Sequence, residues 1–136
     1  MPSSWLSLAL VLMSMAVGCS AQTQGDVLDG LPDPDAEAIG KIRDAKQWHN
    51  PYVIVNRDGY ELILHDRPRT TERSNLAALE DALVKLPRER WPLGRVVAVQ
   101  ENSIRSIGDD ERIATNLIAL KRMLESHKVR IDLWPA

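Results

Sequence analysis

The chain has 136 residues, a formal net charge of −2 and a hydrophobic fraction of 44%, which is enough for one domain and not for two. Lysine and arginine are interspersed with acids, so the composition gives no polyanion-binding tract, and nucleic acid is not an expected partner. Phenylalanine is absent, so any core must be built from Leu, Ile, Val and Ala.

Residues 1–18 carry no charged side chain, and the apolar run from Trp5 to Ala16 is shorter than the roughly 20 residues that span a bilayer. It suits the core of an export signal. The run closes on Met15-Ala16-Val17-Gly18-Cys19, followed by Ser20. Small residues ahead of a cysteine resemble the lipobox of bacterial lipoproteins. That resemblance implies a signal peptide over 1–18, cleavage before Cys19, and lipidation of the Cys19 thiol, palmitate being one usual acyl group. Cys19 is the one cysteine in the chain, so it has no internal disulfide partner, and lipidation would give it a role. Met1–Ser4 departs from the pattern in having no Lys or Arg. The competing readings are an ordinary cleaved secretory signal and an uncleaved anchor. In Gram-negative lipoproteins an Asp after the cysteine favours the inner membrane. Ser20 therefore leans toward the outer membrane, with the domain facing the periplasm.

From Ser20 to Gly40 there are five acids and no base, with two prolines and three glycines. So little apolar surface does not offset the entropy of ordering, and residues 19–40 read as an acidic flexible tether. Asp29, Asp33, Asp35 and Glu37 do not follow the spacing of a calcium loop. Ala36, Ile39, Ile42 and Ala45 give a short helical pattern weakened by Gly40, and Asn50-Pro51 ends it.

The globular domain is expected over 41–136. Tyr52–Asn56 and Tyr60–His65 are β-rich runs joined through Arg57-Asp58-Gly59, and Asp-Gly is the pair that a type I′ hairpin turn calls for. Tyr60, Leu62 and Leu64 should face the core. Thr70 or Thr71 is placed to cap a helix whose stripe is Leu76, Leu79, Leu83 and Leu86, stopped by Pro87. Arg95–Gln100 is a valine-rich run of the kind found in strands buried on both faces. Asp109 or Asp110 is placed to cap a second helix carrying Ile113, Leu117, Leu120 and Leu124, widened by Ala114, Ile118 and Met123. Val129, Ile131 and Leu133 alternate with polar residues as a final half-buried strand.

The fold class is therefore α/β: a small two-layer ββαβαβ domain with a mixed sheet of about four strands covered by two helices. If both crossovers join parallel strands, the second, third and fourth strands run together and the first opposes them.

Several of these features resemble the periplasmic domain of the ExbD/TolR family of biopolymer-transport proteins. They are Asp58-Gly59-x-Glu-Leu-Ile-Leu, Pro68, the Leu76/Leu79/Leu83 stripe, the Val-Val-Ala-Val strand, Asp109-Asp110 and Val129-x-Ile131. The resemblance covers most of residues 52–133 and implies use of the domain for protein or peptidoglycan-proximal contacts in the envelope. That family also carries a membrane helix with an acid used in proton-driven work. The one apolar segment here has no Asp or Glu, so proton coupling does not carry over.

Site chemistry is sparse. His49, His65 and His127 lack metal-ligand spacing, no glycine-rich phosphate loop exists, and no cofactor is implied. In the expected topology, the carboxyl ends of parallel strands gather His65-Asp66, Glu101-Asn102 and Asp132, where ligands tend to bind. Such a cluster would suit a small envelope enzyme; ordinary strand-end polar residues explain the same letters. Trp48 and Trp134 should fall at one end of the sheet, as core plugs or as an interaction surface. The leading expectation is a non-enzymatic lipoprotein, anchored to a membrane through its lipid and contacting an unidentified envelope protein.

Overall fold

The computed structural model describes residues 27–70 and 72–135; Cys19 and the expected signal peptide with its lipobox-like stretch lie outside this range. One mixed sheet contains β1 (Tyr52–Asn56), β2 (Gly59–Ile63), β3 (Val96–Glu101) and β4 (Arg130–Trp134), in the spatial order β2-β1-β3-β4. A short helix α1 (Ala36–Gly40) precedes the sheet, α2 (Leu76–Lys85) follows β2, and α3 (Asp109–Ser126) joins β3 to β4. This is the small four-stranded α/β domain that the patterns predict. Among the described residues, no helix is long and apolar enough to cross a membrane.

The core lies where the valine run predicts. Val96, Val97, Ala98 and Val99 are all fully buried, as are Val53 and Val55 in the neighbouring β1. Alternation sends Val97 and Val99 to one face, against Leu79 and Leu83 of α2 and Ile113, Leu120 and Leu124 of α3. Tyr60 and Leu64 join this core, with Leu62 and Leu76 partly buried beside it. Burying each such aliphatic side chain contributes roughly 1.5–3 kcal/mol. Val96 and Ala98 point to the opposite face and meet Trp48, with Ile39, Ile42, Leu93 and Trp134 packed around them. In α3 the widened stripe holds for Met123, whereas Ala114 and Ile118 are exposed.

The strand directions differ from the expectation. β1 runs parallel to β3, β3 runs parallel to β4, and β2 is the antiparallel strand, at the sheet edge. After β2 the chain turns back along the outer edge, where Ser74 and Tyr60 exchange both backbone hydrogen bonds at 2.9 Å. Helix α2 therefore starts at the opposite end of the sheet from where β2 stops. Its connection joins antiparallel strands, so it is not a strand–helix–strand unit of the parallel kind.

The hairpin and caps are also local corrections. Arg57 and Asp58 form the two-residue turn, and Gly59 pairs with Asn56 as the first residue of β2. The positive φ of Gly59, 147°, serves the Ser74 strap: a Cβ there would sit 2.6 Å from the Ser74 carbonyl oxygen. Asn75, rather than a threonine, caps α2 by accepting from Ala78 N–H at 2.8 Å. Gly108 occupies the N-cap of α3, and Asp109 lies in its first turn.

The tether expected over residues 19–40 is packed onto the domain from Leu28 on. Leu28 and Leu31 are 2% and 4% exposed, inside the main core. Arg95 N–H donates to the Pro32 carbonyl at 3.0 Å, Asp35 N–H donates to that of Leu93 at 2.9 Å, and Arg95 pairs with Asp33. Two buried leucines and these bonds offset much of an ordering cost of roughly 1–2 kcal/mol per residue in this short segment. Asp35 then caps α1 through Ala38 N–H.

Candidate functional site

The antiparallel β2 separates the residues that the sequence draws together. Glu101 and Asn102 stand at the carboxyl ends of the parallel strands, whereas His65 and Asp66 lie at the opposite end. There His65 stacks on His49, with ring centroids 4.1 Å apart and planes 8° from parallel. Asp66 pairs with Arg90. The His65–Asp66–Glu101–Asn102 cluster does not form.

The carboxyl ends form a polar hollow of about 300 Å³, lined among others by Asn56, Arg57, Arg73, Asn102 and Asp109. Asn56 is buried and accepts a hydrogen bond from the Asn102 side chain. Asp109 accepts from Ser106 N–H at 2.7 Å and pairs with Arg57 at 3.3 Å. The Ser106 amide and then the Arg57 guanidinium hold the Asp109 carboxyl below its usual range, against the effect of burial. Arg105 bridges Asp110 and Glu101, both at 2.7 Å, and these two acids raise its affinity for the proton. The charged groups here are engaged with one another, as in a structural ion-pair network.

The aromatic residues come together on the second face of the sheet. Trp48 and Trp134 meet edge to face with centroids 5.3 Å apart, and Tyr52 lies 5.2 Å from Trp134 at 38°. Since β1 and β4 are parallel, they meet across the sheet face, not at a shared strand end as expected. Trp48 is 3% exposed, its indole N–H donating to the Pro51 carbonyl at 3.1 Å. Trp91 is a buried plug elsewhere in the main core. Trp134 is half-buried and forms one wall of a cleft of about 380 Å³ between the leading segment and the β3–β4 edge. Tyr52, Gln100, Asp132, Ile39 and Ile42 also line it.

A hydrogen-bond chain fixes the polar wall of this cleft. The Tyr52 hydroxyl donates to Gln100 Oε1, Gln100 Nε2 donates to the Pro135 carbonyl at 2.7 Å, and Trp134 Nε1 donates to Asp132 Oδ2 at 3.1 Å. Burial raises the Tyr52 hydroxyl above the usual phenol range; the nearby Arg69 opposes the shift and Glu61 adds to it. Glu61 is itself buried beneath Arg69, at 3.2 Å. Sequence reasoning names Trp48, Trp134 and Asp132 but misses Tyr52 and Gln100. Their signal is a polar group at the end of an otherwise apolar strand, Tyr52 opening β1 and Gln100 following Val96–Val99 in β3.

Among the described residues, no group of three His, Cys, Asp or Glu side chains is arranged to hold a metal ion. No family model matches the chain, and neither a curated protein nor a solved structure matches it.

Proposed function

We propose that this protein is an envelope lipoprotein, tethered through acylated Cys19, whose α/β domain is a binding module and not an enzyme. The role would be like that of the ExbD/TolR periplasmic domain without its proton coupling. One observation carries the reading: a lipobox-like Val17-Gly18-Cys19 precedes, by a few residues, a segment packed into the domain at Leu28. Whatever its conformation, the chain between Cys19 and Leu28 reaches at most roughly 30 Å, so an acylated Cys19 would hold the domain close to the bilayer.

The binding role is supported by the open aromatic cleft and by the separation of the His65 and Glu101 groups to opposite ends of the sheet. The test is the intact mass of the full-length gene product extracted from membranes. A chain beginning at Cys19 with added acyl mass is the expected result. An unmodified thiol, or a chain retaining residues 1–18, would overturn it.

A further inference from the structure

We infer that the cleft on the second face binds a small substituted ammonium ion against the packed pair Tyr52 and Trp134, with Asp132 as its counter-charge. The inference rests on the binding-module reading but is independent of the lipid anchor.

The argument is an accounting of donors and acceptors on the cleft wall. The Tyr52 hydroxyl and the Trp134 indole N–H have both spent their hydrogens inside the wall, on Gln100 and Asp132. One hydrogen of the Gln100 amide is spent on the Pro135 carbonyl. What this wall offers a ligand is therefore mostly acceptor: the free lone pairs of Tyr52 Oη, the second oxygen of Asp132, and the ring faces, which carry negative quadrupole potential. Burial holds the Tyr52 hydroxyl protonated, so its ring and oxygen stay neutral.

The formal charges agree. Asp132 joins no ion pair among the described residues, and Arg130, two positions earlier on the same face, makes none with it. On the opposite wall Arg43 stands beside Asp44, which offsets it, and the Arg43 guanidinium is turned to the Gly40 carbonyl at 3.0 Å. Ile39, Ile42 and Ala45 supply an apolar floor for the alkyl groups of the cation. A cleft of about 380 Å³ lies within the range of small-molecule sites. Aromatic faces near a carboxylate, partly removed from water, are the arrangement that recognises alkylated ammonium groups.

The test uses the full-length chain in maltoside micelles, titrated with choline and, separately, with its neutral carbon isostere 3,3-dimethylbutan-1-ol. Tryptophan emission and amide chemical shifts report binding. Choline should shift Gln100 and Trp134 saturably, and the isostere should bind at least about tenfold more weakly. Asp132→Asn keeps an oxygen for the Trp134 indole, so the wall stays in place while the charge is lost; it should weaken choline about tenfold. Trp134→Leu, with its fold verified by circular dichroism, should abolish binding. Equal binding of the isostere, an unchanged Asp132→Asn, or no shift at these residues would overturn the inference. Saturation by a lysine-bearing peptide without any by choline would overturn it in favour of a protein partner. None of these outcomes touches acylation of Cys19, so the two readings fail separately.

Discussion

The side chain of Asn50 donates to the carbonyl oxygen of Gly94 across 2.8 Å, joining the entries of β1 and β3 where the leading segment docks. The same amide nitrogen lies 2.8 Å from the Val96 carbonyl, and Asn50 Oδ1 accepts from Leu93 N–H at 2.7 Å. Asn50 is 1% exposed; the Gly94 carbonyl also accepts from Val96 N–H at 2.8 Å, whereas the Leu93 N–H is held by the Asn50 side chain. Asn50→Ala leaves several buried backbone groups without this partner, at about 1–3 kcal/mol for each group left unsatisfied. A loss of roughly 2–4 kcal/mol in urea unfolding of the full chain is expected; a loss below about 1 kcal/mol would show that these groups find other partners.

Gly94 has φ +87°, and a Cβ there would sit 2.9 Å from the Pro32 carbonyl oxygen and closer still to that of Asp33. Gly94→Ala should therefore expel the docked segment while β3 remains paired on both sides. Hydrogen exchange should show residues 28–35 losing protection ahead of the sheet. Unchanged protection of that segment would mean that Leu28 and Leu31 hold it without the close backbone approach.

Val97 lies in the middle of β3 and is fully buried. Val97→Asp would place a carboxylate among aliphatic side chains at a cost of several kcal/mol, against the 5–15 kcal/mol that holds a typical domain folded. The variant should lack a cooperative melting transition. Melting close to wild type would contradict the assignment of Val97 to the core.

Asp109 has its carboxyl pKa lowered in the folded state, chiefly by the Ser106 amide and next by Arg57. A depressed folded pKa gives stability that is present above the unfolded value, about 4, and is lost as pH falls through the folded one. Asp109→Asn should therefore melt below wild type at neutral pH, with the gap closing as the pH is taken below about 4. A gap that persists unchanged into acid would assign the effect to packing and not to charge.

The parts of the fold legible in the sequence are those set by local periodicity. Val96–Val99 announces a strand buried on both faces, and Leu79/Leu83 and Ile113/Leu120/Leu124 announce the helix faces that cover it. Strand direction was not legible, because it depends on how far a loop travels. Residues 64–75 are long enough to carry the chain back along β2, and one bridge between Ser74 and Tyr60 sets which end α2 starts from. That single reversal dissolves the expected His65–Glu101 cluster. The docking of Leu28 and Leu31 was hidden by their acidic, glycine- and proline-rich surroundings, since composition averages over two anchoring side chains. Tyr52 and Gln100 do not stand out in the sequence because a polar residue in a strand shows its purpose only when its neighbour across the sheet is known, and here that neighbour is Trp134.

The most direct test of the tethered-module account is fractionation of cells expressing wild type or Cys19→Ser, followed by detection of the domain. The account predicts that wild type sediments with membranes and requires detergent for release, whereas Cys19→Ser is recovered outside the membrane fraction with its fold intact. Equal fractionation of the two proteins would contradict it.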